Sequence, residues 1–162
     1  MAKSQQLQIR VSAVQKNALK RHARIAGMDM STYVLSRALP AATAKVTAVI
    51  GRLGGPDGYK YALAELNDLL ATLPAAAFAD AVADVDVHKL SPFLQNYVAA
   101  MVEHAAHQKL VPPPIWATGI EPLETPYFAV EFPRLRMHLL RTAPVAFKRR
   151  NIFVDATVGD RV

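Results

Sequence analysis

The chain has 162 residues, 52% hydrophobic and 20% charged, which suits a globular protein and excludes an intrinsically disordered one, and its lack of cysteine excludes disulfides and thiolate metal sites. Its net charge of +6 lies wholly in residues 1–40, which hold seven bases and one acid, whereas residues 41–162 hold twelve of each. Such asymmetry implies a polyanion-binding end joined to a part with another task. No apolar run reaches the roughly 18–20 residues a bilayer span needs, and the polar start has no signal-peptide core, so a cytoplasmic protein without membrane contact is expected.

A strand is expected first. Leu7, Ile9 and Val11 alternate with Gln6, Gln8 and Arg10, the period-two pattern of one apolar and one polar face. Ser12 stops the strand and can cap a helix over residues 13–26. There Val14, Ala18, Leu19, Ala23 and Ala26 lie near one face, with Lys16, Lys20, Arg21 and Arg24 mostly elsewhere. Gly27 suits a left-handed stop. Ser31 opens a second helix through Leu39, and Pro40 marks its end. About forty residues with one unpaired strand cannot close a core. Two copies can: their strands pair antiparallel, and Leu7, Ile9, Val11, Leu19, Met30 and Val34 are buried between four helices.

Residues 3–39 resemble, without a gap, the ribbon-helix-helix (Arc/MetJ-type) family of bacterial DNA-binding proteins. The resemblance rests on the strand over residues 6–11, Ser12, Leu19, Ala23, Gly27, Asp29, Met30, Ser31 and Val34. It is nearest to the branch that serves as antitoxins beside acetyltransferase toxins. It implies a homodimer formed through the N-terminal strand, whose ribbon enters the major groove of a double-stranded operator. It places Gln6, Gln8 and Arg10 against the bases, where Gln can bond adenine and Arg guanine bidentately. Backbone amides near Met30, Ser31 and Thr32 would hold a phosphate at the start of the second helix, and Lys3 would add phosphate attraction. The family often has serine or threonine where this chain has Asp29. An acid there could cap the helix but would repel a phosphate.

The remainder reads as mostly helical. A helix is expected over residues 41–53, with Val46, Val49, Ile50 and Leu53 at helical spacing, before the break at residues 54–58. The expected organisation is a DNA-binding and dimerisation domain over 1–45, a linker or connecting helix over 46–58, and a helical partner-binding domain over 59–162. Within the last, Leu63, Leu66, Leu69, Leu70 and Leu73 stripe one helix over 59–73, and Phe78, Val82 and Val85 face inward on the next. Asp80, Asp84 and Asp86 form a solvated acidic face. Ser91 and Pro92 open a third helix to about Lys109. Glu103, His104 and His107 on it fall short of the zinc signature, in which the glutamate lies between the histidines, so no metal or other cofactor is expected. Residues 112–133 form a proline-rich aromatic loop, ordered across the helices or extended as an arm. Helical turns follow at 135–140 and 144–150, then a short strand or tail at 151–154.

Residues 112–162 resemble small bacterial proteins encoded beside nucleotidyltransferase-like toxins, through Pro112-Pro113-Pro114 with Trp116, the aromatic run, and the block over 143–154. Trp116, Tyr127, Phe128, Arg149, Arg150 and Phe153 are the candidate partner-binding residues. The resulting expectation is an antitoxin that binds its cognate toxin and represses its own operon. The alternative is a ribbon-helix-helix regulator whose C-terminal domain senses a small ligand. No nucleophile motif, phosphate loop or paired acid with a poised histidine points to an enzyme.

Overall fold

A computed structural model describes residues 8–38, 41–55 and 59–155. Expectations for Lys3, Gln6, Leu7, Leu39, Pro40 and residues 56–58 lie outside these. The fold is mainly helical, with nine helices and one two-stranded sheet among the described residues. It divides into two compact units, Met1–Ala41 and Ala42–Val162.

The smaller unit contains a helical hairpin. α1 (Ala13–Ile25) begins with a capping box: Ser12 Oγ accepts from the Gln15 amide at 3.3 Å, and Gln15 Oε1 accepts from the Ser12 amide at 2.9 Å. It ends with the Met28 amide donating to the Ala23 carbonyl and the Gly27 amide to that of Arg24. This 6→1 and 5→2 pair needs a left-handed residue between, and Gly27 supplies it at φ +66°. α2 (Met30–Ala38) packs back on α1, where the His22 ring meets Tyr33 edge-on at 6.2 Å. Ala23 and Tyr33 are the buried hydrophobics among this unit's described residues. Ala18 and Leu19 are half-buried, while Val14 and Ala26, expected on the same face, stay exposed.

The larger unit is assembled around α6 (Pro92–Gln108), which Ser91 caps and Pro92 opens. It packs against α4 (Tyr59–Thr72), α7 (Ile115–Thr118) and α9 (Val145–Lys148). α3 (Ala41–Leu53) buries Val46, Val49, Ile50 and Leu53 in the same core as Leu66, Leu70, Phe78 and Val98, with α5 (Ala75–Val82) supplying Phe78. Of the segment expected as a linker or connecting helix over 46–58, the part as far as Leu53 is helix and contributes to this core. The helical spacing of Val46, Val49, Ile50 and Leu53 is the signal for this, and the helix begins at the boundary between the two units.

The proline-rich stretch is an ordered strap. The Trp116 indole donates to the Val82 carbonyl at 2.7 Å. β1 (Tyr127–Phe128) pairs in parallel with β2 (Ile152–Phe153), Tyr127 opposite Ile152. α8 (Pro133–Thr142) packs on β2 through a small cluster of Leu139, Ala143 and Phe153.

Arg150 binds the strap to α6. Its Nη2 donates to Glu103 Oε1 at 2.9 Å and to the Ala117 carbonyl; its Nη1 donates to Asn96 Oδ1 at 3.4 Å and the Ile120 carbonyl at 3.3 Å. Both charged side chains are buried, at 5% and 8% exposure. Removing one partner of such a pair strands a charge in low dielectric. Glu103→Ala should destabilise the fold by about 3–5 kcal/mol in urea unfolding, and adding Arg150→Met should recover most of that. A loss below 1 kcal/mol from Glu103→Ala would show the pair to be solvated.

α6 ends with the same bond pair as α1, Val111 to Ala106 and Leu110 to His107, but Leu110 holds the left-handed position at φ +57° while 94% exposed. A side chain there costs about 1–2 kcal/mol, partly offset by glycine's greater chain entropy when unfolded. Leu110→Gly should therefore raise stability by up to about 1 kcal/mol; a drop in the denaturation midpoint would contradict the assignment.

Candidate nucleic-acid interface

Residues 8–12 carry neither helix nor ladder, and Ser12 is extended at φ −69°, ψ 161°. In a single chain a lone strand has no ladder partner. Gln8 and Arg10 are exposed, as their proposed base contacts require. Lys16, Lys20, Arg21 and Arg24 are exposed on α1, and Asp29 is the only acid of the first forty residues, so no other carboxylate there offsets their field.

The expected dimer-core residues are uncovered or half-covered in one chain. Ile9 is 58% exposed, Val11 42% and Met30 38%; Leu19 and Val34 are half-buried. Full burial of such side chains stabilises by about 1.5–3 kcal/mol each.

The helix-two amides give a correction. Asp29 Oδ1 accepts from the Ser31 amide at 2.9 Å and from the Thr32 amide at 3.0 Å, Thr32 Oγ1 donates to Oδ2, and the Asp29 carbonyl accepts from Tyr33. The Ser31 and Thr32 amides expected to hold a phosphate are thus occupied by the chain's own carboxylate. A phosphate would have to displace it against like-charge repulsion.

The candidate partner-binding residues do not form one surface. Arg150 is buried against Glu103, and Phe153 is buried and stacked on Phe128 at 4.7 Å. Trp116 is half-buried with its indole donor used. Tyr127 is 38% exposed, its ring 4.6 Å from Phe93, and its hydroxyl pKa is raised by burial first and by Tyr59 second. Arg149 is exposed.

Sequence reading missed the Glu103–Arg150 pair. The signal was present: Asn96, Ala99, Ala100, Glu103 and Ala106 make a stripe of small and polar residues along one face of α6, room for a guanidinium to enter. Glu103 turns inward while His107 is exposed, and no three potential metal-ligating side chains converge among the described residues. No helix there is long and apolar enough to cross a membrane. The hollow beside His104 and Phe147, about 10 Å³, has room for about one water.

Residues 1–72 match the family model described as NikA-like, Mobilization protein NikA. The match spans 72 of 162 residues and ends at the last residue of α4. No curated protein and no solved structure matches the chain.

The Asp29 cap has a pH signature. Its carboxyl pKa is held below the usual range, first by the Thr32 hydroxyl, then by the Thr32 amide. A depressed folded-state pKa gives stabilisation that is present above the unfolded carboxylate's pKa and lost as pH falls through the lowered folded value. The Ser31 and Thr32 amide resonances should therefore titrate with a midpoint below that of an ordinary aspartate, and Asp29→Asn should abolish the transition. A midpoint at or above the ordinary value would rule out the cap in solution.

Proposed function

We propose that this chain binds double-stranded DNA as a dimer formed by its N-terminal segment, and that it serves in DNA mobilization, with the larger unit engaging a protein partner. The observation that carries the DNA reading is the segment Gln8–Ser12: Gln8 and Arg10 stand exposed beside uncovered Ile9 and Val11, next to a helix rich in bases. A second copy would cover the apolar row and turn the polar row into a two-stranded ribbon of major-groove width. The match of residues 1–72 to a mobilization family supports the process.

The antitoxin reading, with a nucleotidyltransferase-like toxin as partner and repression of its own operon, rests on the resemblance in residues 112–162. It and the mobilization reading differ in the partner and agree on the DNA-binding unit. Purification from the native host separates them: a toxin that is inactive in the complex supports the antitoxin, and transfer of the encoding element that fails without this protein supports mobilization.

Arg10→Ala should weaken specific DNA binding by about 1–3 kcal/mol and relax base preference at one position of each half-site. Electrophoretic shift at low and high salt checks it, because loss of a mere phosphate contact lowers the salt dependence and spares specificity. Unchanged specificity in the variant would remove the segment from the role of reader.

A further inference from the structure

α8 is held to the larger unit by one side only. Leu139 is its buried residue, set against Ala143 and Phe153. Met137, on the opposite side, is 63% exposed, and Leu140, three residues on, is 40% exposed. Phe132 precedes the helix at 70% exposure, and Val145 follows it at 67%. Met137 and Leu140 thus leave an apolar patch on the outer face of the helix, with Phe132 and Val145 exposed just beyond its two ends.

The flanks of this patch are basic. Arg134, His138 and Arg141, at i, i+4 and i+7, line one side, and Arg136 lies on the other. Residues 132–149 contain five bases and no acid. Two of these cations are also held in place. The Arg136 guanidinium lies 5.2 Å over the Phe128 ring, which is itself stacked on Phe153, and Lys148 Nζ donates to the Arg141 carbonyl at 2.8 Å.

We propose that this face of α8 docks an acidic protein segment, an amphipathic helix with an apolar stripe flanked by carboxylates. Three features select that occupant. An apolar centre inside a charged rim, rich in Met, Phe and Arg, is the composition of a protein interface. Arginines offer planar forks that match carboxylates bidentately, and Arg136 is held by packing on Phe128. The phosphate backbone of a nucleic acid gives exposed Met137 and Phe132 nothing to pack against, and a bilayer has no use for a fork fixed over an aromatic ring. The inference does not depend on the DNA reading, since it concerns other residues.

The test uses the full chain and a fluorescent helical peptide with leucine at i, i+3, i+4 and i+7 and glutamate on both flanks, beside a twin with lysine for each glutamate. The glutamate peptide should bind at least about tenfold tighter than the twin and weaken with salt. Met137→Ser with Leu140→Ser, or Arg134→Glu with Arg141→Glu, should each lower its affinity about tenfold. These side chains are exposed, so the fold is kept, and circular dichroism verifies it. Lys16→Glu with Lys20→Glu should leave the affinity unchanged, which separates α8 from attraction to the basic N-terminal end. Four results overturn the proposal: equal affinity for both peptides; loss only in the Lys16, Lys20 variant; α8-dependent binding of phosphatidylglycerol vesicles or single-stranded DNA without peptide binding; and self-association of the chain that the α8 changes abolish.

Discussion

A buried guanidinium needs acceptors, and Arg150 finds them for both of its terminal nitrogens by drawing together segments far apart in sequence. Glu103 and Asn96 come from α6, and the carbonyls of Ala117 and Ile120 come from the strap. Asn96 in turn donates to the carbonyls of Pro92 and Glu121. An apolar side chain at position 150 could fill the same volume, but it would not specify which backbone carbonyls line it. The ion pair contributes position more than net stability, because desolvation offsets most of the attraction. Once Arg150 is fixed, β2 follows it directly, β1 pairs with β2, and α8 rests on both the sheet and its aromatic stack.

The smaller unit depends on the opposite circumstance, an unmet demand. Its helices are locally well specified, by the Ser12 box, the Gly27 stop and the Asp29 cap. Yet few of its described side chains are buried, and Ile9, Val11 and Met30 face outward. Caps stabilise helix ends by about a kcal/mol each and cannot replace a core. Local order without sufficient burial is the ground on which a second copy is proposed to complete its core.

Legibility in the sequence followed the range of the interaction. Helix starts at Ser12 and Ser91, the stop at Gly27 and the inward stripes of α3, α4 and α5 all rest on neighbours within one or two turns, so they could be read directly. The strap's course could not, because the partners of Trp116, Tyr127 and Arg150 lie about 25 to 54 residues away. Arg149 and Arg150 look alike in the chain, and one is exposed while the other is buried; only the polar stripe on α6 distinguishes them. The helix-two phosphate site meets a local competitor. An acid at position 29 can cap the helix, and a cap that takes the Ser31 and Thr32 amides competes with a phosphate for them.

The two units handle positive charge by different physics, and that difference separates their surfaces. On α1 the bases are solvated and spread, so their effect is a field that draws polyanions without choosing among them. In the proposed reading, choice among sequences comes from Gln8 and Arg10. On α8 the arginines stand beside an apolar stripe, and Arg136 is immobilised on Phe128. Charge held rigidly next to exposed Met137 and Leu140 gains little from a diffuse polyanion and much from a partner that buries the stripe while pairing the rim. The two proposals thus rest on different residues and different physics: a diffuse field on α1 for DNA, and a basic rim around apolar side chains on α8 for an acidic partner.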